Sequence, residues 1–191
     1  SDHSSSSWLD SSSWSSCSSP KSYSNLSEGS HIFSVFGVDV LNNSGAVDYW
    51  NWTIDLTSPI SNVTSGPDNP TNSQSATFVF SGNEDDSNFE CSLDSSSWSS
   101  CGSPKSYTDL SEGNHSFSAR ATDQAGNTGN PVYWNWTIDT TPPLASIDSG
   151  PSNPTNQTTA TFEFVSSESN STFECLLDSS SWSSCSSPKS Y

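Results

Sequence analysis

Four of the five cysteines fall in pairs whose spacing could form a covalent bond. Cys91 and Cys101 bracket the nine residues SLDSSSWSS, and Cys175 and Cys185 bracket LLDSSSWSS. Nine intervening residues suit a hairpin that places the two cysteines opposite each other, so the spacing predicts one disulfide per pair. The alternative is a metal site, which usually takes four ligands, whereas each pair offers two. A disulfide implies an oxidising, extracellular setting, and Cys17 is left unpaired.

Carboxylates gather where loops and linkers are expected. Calcium takes six to eight oxygen ligands, typically from several carboxylates and carbonyls. The candidate ligands are Asp55 and Asp139 at linkers, Glu84 after a strand and Asp123 in a loop. Two alternatives are open: a calcium site that stiffens the junction between domains, or no metal at all, since no EF-type loop is present. The sequence indicates no other cofactor. The alternative for Asp123, which precedes QAGN, is an ordinary turn capped by aspartate.

The histidines do not form a recognisable catalytic group. His31 and His115 occupy equivalent positions on one predicted strand, and His3 lies in an irregular stretch at the start. A hydrolase needs a nucleophile and an orienting acid around such a histidine. Serine is so frequent here that a serine near a histidine has no diagnostic value. We expect packed, hydrogen-bonded histidines and no enzymatic activity.

The motif Asn-x-Ser/Thr, an acceptor for N-linked sugars, is unusually frequent. It occurs at Asn25, Asn42, Asn51, Asn62, Asn114, Asn135, Asn156 and Asn170. Asn51 and Asn135 lie on the predicted outward face of a strand whose inward face carries tryptophan, where a glycan is tolerated. Chance explains many of these matches, because serine and threonine are abundant. Glycans at these sites would shield edge strands from unwanted pairing.

The charge balance excludes several classes of partner. The chain has 21 acidic and 4 basic residues and a net charge of −17. Nucleic-acid binding needs a basic face, and an anionic membrane surface attracts basic segments. We expect neither partner, and no segment is apolar over a membrane-spanning length. Aromatic residues reach 12%, which favours a folded core rich in rings over the disorder that few aliphatics and high charge otherwise suggest.

One phrase recurs at a fixed interval. SSSWSSCSSPKSY begins at Ser11 and at Ser179, and with one change at Ser95, so the period is 84 residues. This is too long for a solenoid turn and suits a small domain. With boundaries at TIDLTSP and TIDTTPP, the sequence predicts a partial domain over 1–55, a complete domain over 56–139 and a partial domain over 140–191. We expect a window of a longer array, with completion of each end by a neighbour as the alternative.

Short segments alternate apolar and polar residues, which is typical of half-buried strands. ATFVF at 76–80 and ATFEF at 160–164 are examples, and HSFSARATD directs His115, Phe117 and Ala119 inward. Turn-rich Gly, Pro, Asn and Ser separate these segments. The pattern predicts an all-β protein built from sandwiches.

The motif Y-x-x-L-x-x-G-x-H-x-F-x-A-x-A-x-D-x-x-G-N runs from Tyr107 to Asn127. It is similar to strand E, the following corner and strand F of immunoglobulin-like and fibronectin type III-like domains. The whole unit resembles tandem bacterial and archaeal Ig-like repeats of large extracellular surface proteins. The resemblance implies seven-stranded sandwiches in series and a role as spacer or adhesin stalk. We call residues 1–55, 56–139 and 140–191 repeats one, two and three. Repeat one departs from the pattern, since Ser7 stands where Cys91 stands and Ile32, Phe36 and Val38 make its predicted outer face apolar.

Two functions from different classes are consistent with this sequence. The first is a structural segment of an extracellular filament, stalk or adhesin shaft at the cell surface, whose partner is itself and whose partial domains are completed by strand exchange between subunits. The alternative is a carbohydrate-binding accessory module of a secreted hydrolase, which would use the hairpin tryptophans Trp98 and Trp182 to stack on surface glycans. Packing against the domain is the competing interpretation of those tryptophans.

Overall fold

The computed structural model describes residues 4–178 and 180–191, except for the side chain of Ser4. His3 lies outside the described residues. All regular elements described are strands, which confirms the all-β prediction. They are β1 (Ser4–Leu9), β2 (Ser15–Cys17), β3 (Gly29–Val38), β4 (Asp48–Ile54), β5 (Ser61–Ser65), β6 (Ala76–Gly82), β7 (Asn88–Leu93), β8 (Ser99–Cys101), β9 (Lys105–Tyr107), β10 (Gly113–Thr122), β11 (Val132–Ile138), β12 (Ala145–Ser149), β13 (Thr161–Ser166), β14 (Phe173–Cys175), β15 (Ser183–Cys185) and β16 (Lys189–Ser190). Nothing in the described part of the chain is a helix long and apolar enough to cross a membrane.

The chain forms two compact units, Ser1–Asp139 and Thr140–Tyr191. The first contains repeats one and two, and the second contains repeat three. The division between them falls at the linker TIDTTPP.

Repeat two is a seven-stranded sandwich. One sheet has the order β5-β6-β9 and the other the order β11-β10-β7-β8. The alternation predicted from the sequence holds along β6, where Ala76, Phe78 and Phe80 are buried and the residues between them are exposed. Each strand therefore presents one apolar face to the opposite sheet.

Aromatic rings fill the space between these sheets. Phe78 of β6 stacks on Phe117 of β10 with ring centroids 4.0 Å apart, and both side chains are fully buried. Trp136 and Ile138 of β11 close the same core. Burying each large apolar side chain contributes roughly 1.5–3 kcal/mol, which offsets the scarcity of aliphatic residues.

Repeat one supplies a single four-stranded sheet of order β2-β1-β3-β4. Its register is that of repeat two shifted by one period, since Gly29 pairs with Ile54 as Gly113 pairs with Ile138. Among the described residues it has no counterpart of the β5-β6-β9 sheet. Trp50 on its inner face is consequently 71% exposed.

The unit Thr140–Tyr191 is the complementary fragment. It contains the sheet β12-β13-β16 and the hairpin β14-β15, and its described part has no counterpart of β10 and β11. An open cavity of about 370 Å³ lies where those strands would pack, and Phe162, Phe164 and Trp182 line it. Ile147 on this face is 70% exposed.

Candidate functional site: the repeat junction

Both predicted disulfides are present in the structure. Cys91 and Cys101 are bonded with their Cα atoms 5.8 Å apart, and Cys175 is bonded to Cys185 at the same separation. The prediction that the cysteines of a pair lie directly opposite each other is wrong, since Cys91 faces Ser99 in the register. The reason is that the hairpin turns at residues 94–95, closer to the first cysteine than to the second. Cys17 is a free thiol.

His115 joins three segments of repeat two in an arrangement that we call the histidine clasp. Its Nδ1 lies 2.8 Å from Asp94 Oδ2 and its Nε2 lies 2.8 Å from the carbonyl oxygen of Ser111. A carboxylate and a carbonyl both only accept hydrogen bonds, so the protonated imidazolium is the form of the ring that satisfies both contacts at once. The Ser111 carbonyl and then Asp94 raise the pKa of His115, against the opposing effect of burial. The ring also stacks on Trp136 at 5.2 Å.

Repeat one contains the same clasp. His31 bonds Asp10 at 2.6 Å and the Ser27 carbonyl at 2.7 Å, and Asp10 followed by the Ser27 carbonyl raises the pKa of His31. A ring whose two nitrogens are held in this way has no free nitrogen to take a proton from a nucleophile. His31 and His115 are thus packed and hydrogen-bonded, as the sequence predicts.

Three of the four predicted calcium ligands converge between repeats one and two. Asp55 follows β4, Glu84 follows β6 and Asp123 follows β10, and their ligand oxygens all lie within 4.8 Å of one another. The fourth, Asp139, is not in the cluster. It follows β11, and its amide donates a hydrogen bond to the Thr71 carbonyl.

Within the cluster, the pKa values of Glu84 and Asp123 are shifted in opposite directions. Desolvation, and then repulsion by Asp123 and Asp55, raise the pKa of Glu84. Asp123 is buried, which by itself raises its pKa, but hydrogen bonds from Asn127 and the backbone outweigh burial and the pKa of Asp123 is lowered. Carboxylate oxygens are the ligands that calcium prefers, so these three residues are the ones that would hold it. Calcium here stays a prediction.

The turn interpretation of Asp123 also has a geometric basis. Asp123 accepts hydrogen bonds from the backbone amide and from Nδ2 of Asn127, each at 2.8 Å. Repeat one contains an equivalent turn built from Asp39 and Asn43. In repeat two, however, Asn127 Nδ2 also donates to the Asp55 carbonyl oxygen at 2.9 Å. The turn therefore binds the linker that leaves repeat one.

Close backbone contact fixes the same linker. Pro59 is fully buried, and a Cβ atom on Gly129 would overlap its carbonyl oxygen. At the start of the linker, Thr57 Oγ1 donates to Glu28 at 2.6 Å. Hydrogen bonds and steric contact thus hold residues 55–60 from both repeats.

The hairpin tryptophans have different surroundings in each repeat. The guanidinium of Arg120 lies 4.4 Å from the Trp98 ring centroid and is also paired with Glu90, so Trp98 is covered. In repeat one Phe36 takes the place of Arg120 and packs on Trp14 at 4.6 Å. Trp182 is 66% exposed.

An aromatic cluster on repeat one explains part of its apolar outer face. Trp8 contacts Trp14 at 5.8 Å, so Trp8, Trp14 and Phe36 cover one another. The sequence signal for this cluster is Trp8, which stands one period before Ser92 and lies outside β3.

All eight asparagines of the Asn-x-Ser/Thr motifs are exposed. Asn51 and Asn135 lie on the outer faces of β4 and β11, as predicted. The exposed tyrosines Tyr49 and Tyr133 precede them by two residues and are 63% and 62% exposed.

Comparison with known proteins gives matches among solved structures alone. No protein-family model matches the chain, and no curated protein matches it significantly in sequence. Fibronectin(III)-like modules of CbhA from Clostridium thermocellum are 14% identical, with a TM-score of 0.40 over 71% of this chain and 77% of theirs. A tetra-tandem repeat from the extending region of a large adhesion protein is 15% identical, with a TM-score of 0.33 over 99% of this chain and 56% of its own length.

The three-plus-four strand arrangement of repeat two and the 84-residue register define tandem Ig-like β-sandwiches. The predicted fold and the predicted resemblance to such repeats are confirmed.

Proposed function

We propose that this chain is a structural segment of an extracellular stalk, filament or adhesin shaft at the cell surface, without enzymatic activity. The observation that carries the proposal is the junction in Ser1–Asp139, where Asn127 and Gly129 of repeat two hold the linker that leaves repeat one. Two repeats of the same register joined by a fixed linker transmit force and set reach. Flexibly tethered binding modules do not need such a linker.

Chemistry outside the junction supports this role. Disulfides persist in oxidising compartments, and the two hairpin disulfides clamp domains with thin cores. A net charge of −17 keeps the modules soluble and mutually repelling.

The uncovered inner faces of repeat one and of Thr140–Tyr191 support a finer proposal, in which neighbouring modules complete one another. Repeat one offers the β2-β1-β3-β4 sheet without its covering sheet, and Thr140–Tyr191 offers the kind of sheet that covers it in repeat two. A neighbouring module, in the same chain or in the next subunit, would bury Trp50 or the cavity around Phe162. The partner is thus another copy of the same repeat, by strand or sheet addition.

A distance measurement tests the rigid junction. Unnatural amino acids at the exposed positions Ser30 on β3 and Val79 on β6 would each carry a spin label without involving the native cysteines. The distance between the two labels reports how repeats one and two are held across the linker. We expect a single narrow distance distribution for the full chain. A broad distribution would contradict a junction that transmits force.

The carbohydrate-binding alternative rests on exposed Trp182. A glycan array with the full chain and with Trp182→Ala would identify it. Sugar binding that is lost in the variant favours the alternative, and Trp98→Ala is the matched control because Arg120 covers that ring.

A further inference from the structure

Two exposed tyrosines occupy equivalent positions one period apart. Tyr49 lies on β4 and Tyr133 on β11, at 63% and 62% exposure. Residues i, i+2 and i+4 of a strand share one face and lie about 6.6–6.8 Å apart at each step. Tyr133, Asn135 and Thr137 therefore line up on the outer face of β11, as do Tyr49, Asn51 and Thr53 on β4.

We propose that Asn51 and Asn135 carry N-linked glycans whose first sugar ring lies on Tyr49 and Tyr133. The inference rests on the extracellular location proposed above. The apolar face of a pyranose attached to the asparagine Nδ2 would pack on the ring of the tyrosine two residues earlier, which lies on the same face of the strand. Burial of that ring face against the sugar explains why a large side chain stands in solvent at both sites.

The reaction is a group transfer without oxidation or reduction. The donor is an oligosaccharide linked through a diphosphate to a polyprenyl lipid. The asparagine Nδ2 forms a bond to the sugar C1 while the bond from C1 to the diphosphate oxygen breaks. One proton leaves the amide, and the lipid diphosphate departs with the electron pair.

The other acceptor motifs do not combine these features. Asn114 Oδ1 accepts a hydrogen bond from Thr137 Oγ1 at 2.8 Å. Asn62 has Ile60 two residues before it. Tyr23 precedes Asn25 by two residues, but its ring packs on Phe33 at 6.1 Å.

The residues that face each tyrosine and asparagine on the neighbouring strand differ in part between the repeats. In the register, Tyr133 faces buried Ser118 and Asn135 faces Ser116. In repeat one, Tyr49 faces buried Ser34 and Asn51 faces Ile32. β11 is the last strand of its sheet, and Thr71 pairs with its end at Ile138. A glycan at Asn135 would hinder pairing of the remaining edge with another strand.

Peptide mapping by mass spectrometry tests the modification. The full chain is secreted from a host that has an oligosaccharyltransferase, and a free-thiol assay on the same sample reports disulfide formation. We expect sugar at Asn51 and Asn135, with lower occupancy at Asn62, which serves as the internal control. Unmodified Asn51 and Asn135 in protein with intact disulfides would overturn the inference and leave the proposed structural role standing, whereas reduced cysteines would argue against the extracellular setting itself.

NMR of the glycosylated chain tests the stacking. A tyrosine ring shifts protons of an overlying sugar upfield, and we expect this shift to be lost in Tyr133→Ser and kept in Tyr133→Phe. Asn135→Gln is the control that identifies the affected signals. Sugar signals that do not respond to Tyr133→Ser would show that the ring is not a platform.

Discussion

At the scale of single residues, the histidine clasp has the clearest consequence for stability. His115 is held between two acceptors, and its pKa is raised in the folded protein. A group with a raised folded-state pKa stabilises the fold fully below its unfolded pKa of 6.5 and loses that contribution as pH rises through the folded value. The clasp therefore stabilises repeat two at mildly acidic pH.

We predict that the melting temperature of the chain falls as pH rises from 6 toward 9, and that His115→Asn removes most of this dependence for the transition of repeat two. Circular dichroism melts across that range measure the effect. Asp94→Asn should act in the same direction, since it removes the charged acceptor. A clasp with one unprotonated nitrogen at pH 6, seen in nitrogen-resolved NMR, would contradict the assignment.

The carboxylate cluster gives a second prediction at this scale. Because desolvation and the charges of Asp123 and Asp55 raise the pKa of Glu84, its ionised form weakens the fold above the ordinary value of 4.5. Glu84→Gln should raise the melting temperature at neutral pH in calcium-free buffer, and the gain should vanish below pH 4. Exposed Asp85→Asn is the matched control and should have little effect.

Calcium should offset the gain in melting temperature that Glu84→Gln gives in calcium-free buffer. Added calcium is expected to raise the melting temperature of the natural sequence more than that of Glu84→Gln, because the variant lacks one oxygen ligand of full charge. Equal responses in the two proteins would mean that the cluster is not a calcium site.

Residue-level prediction from sequence succeeded where local chemistry decides. Cysteine spacing indicated both disulfides, and acidic residues at expected loop ends indicated three that do converge. It could not separate Asp139 from the cluster, because Asp139 and Asp55 are equivalent in sequence and differ only in their three-dimensional surroundings. The Trp8–Trp14–Phe36 contacts were also not predicted, since they need the pairing of β1 with β3.

At the scale of elements, the disulfide hairpin adds a covalent constraint to the aromatic core. Cys91 and Cys101 are ten positions apart in sequence, and closing a loop of that size contributes about 2–3 kcal/mol in the chain-entropy model. We predict that replacing both cysteines with serine lowers the melting temperature of repeat two by roughly 10–20 °C, at about 4–8 °C per kcal/mol for a domain of this size. Cys17→Ser is the control, because this thiol is free. An unchanged melting temperature would show that the aromatic core is sufficient.

Period-two alternation identified the long strands but not the short ones. β6 follows the predicted faces because one side of it is buried in an aromatic core. β10 does so as well except at Ser118, which was predicted to be exposed on the outer face but is buried. The three-residue strand β9 was not predicted, since it is too short for a period to be visible, and its pairing with β6 supplies the missing pattern. Hairpin geometry likewise fixed the diagonal placement of the cysteines, which spacing alone does not specify.

At the scale of the molecule, the 84-residue period predicted the array but not the contacts that hold the linker between repeats one and two. A repeat in the sequence shows that modules recur, whereas the contact of Gly129 with Pro59 depends on how the linker enters the next module. Repeat one contains the equivalent glycine, Gly45, whose added Cβ would meet nothing nearer than the Gly37 carbonyl oxygen at 3.5 Å. The same residue type is thus constrained in one repeat and free in the other.

That contrast yields the most direct test of the shaft. Gly129→Ala should force the Pro59 carbonyl away from the buried turn and destabilise repeat two by about 1–3 kcal/mol, the usual cost of overpacking. It should also broaden the distance distribution between labels at Ser30 and Val79. Gly45→Ala should leave both quantities unchanged, because its Cβ has room. If Gly129→Ala lowers stability while the distribution stays narrow, then Gly129 serves the fold of its own module and another contact, with Asn127 the first to examine, sets the junction.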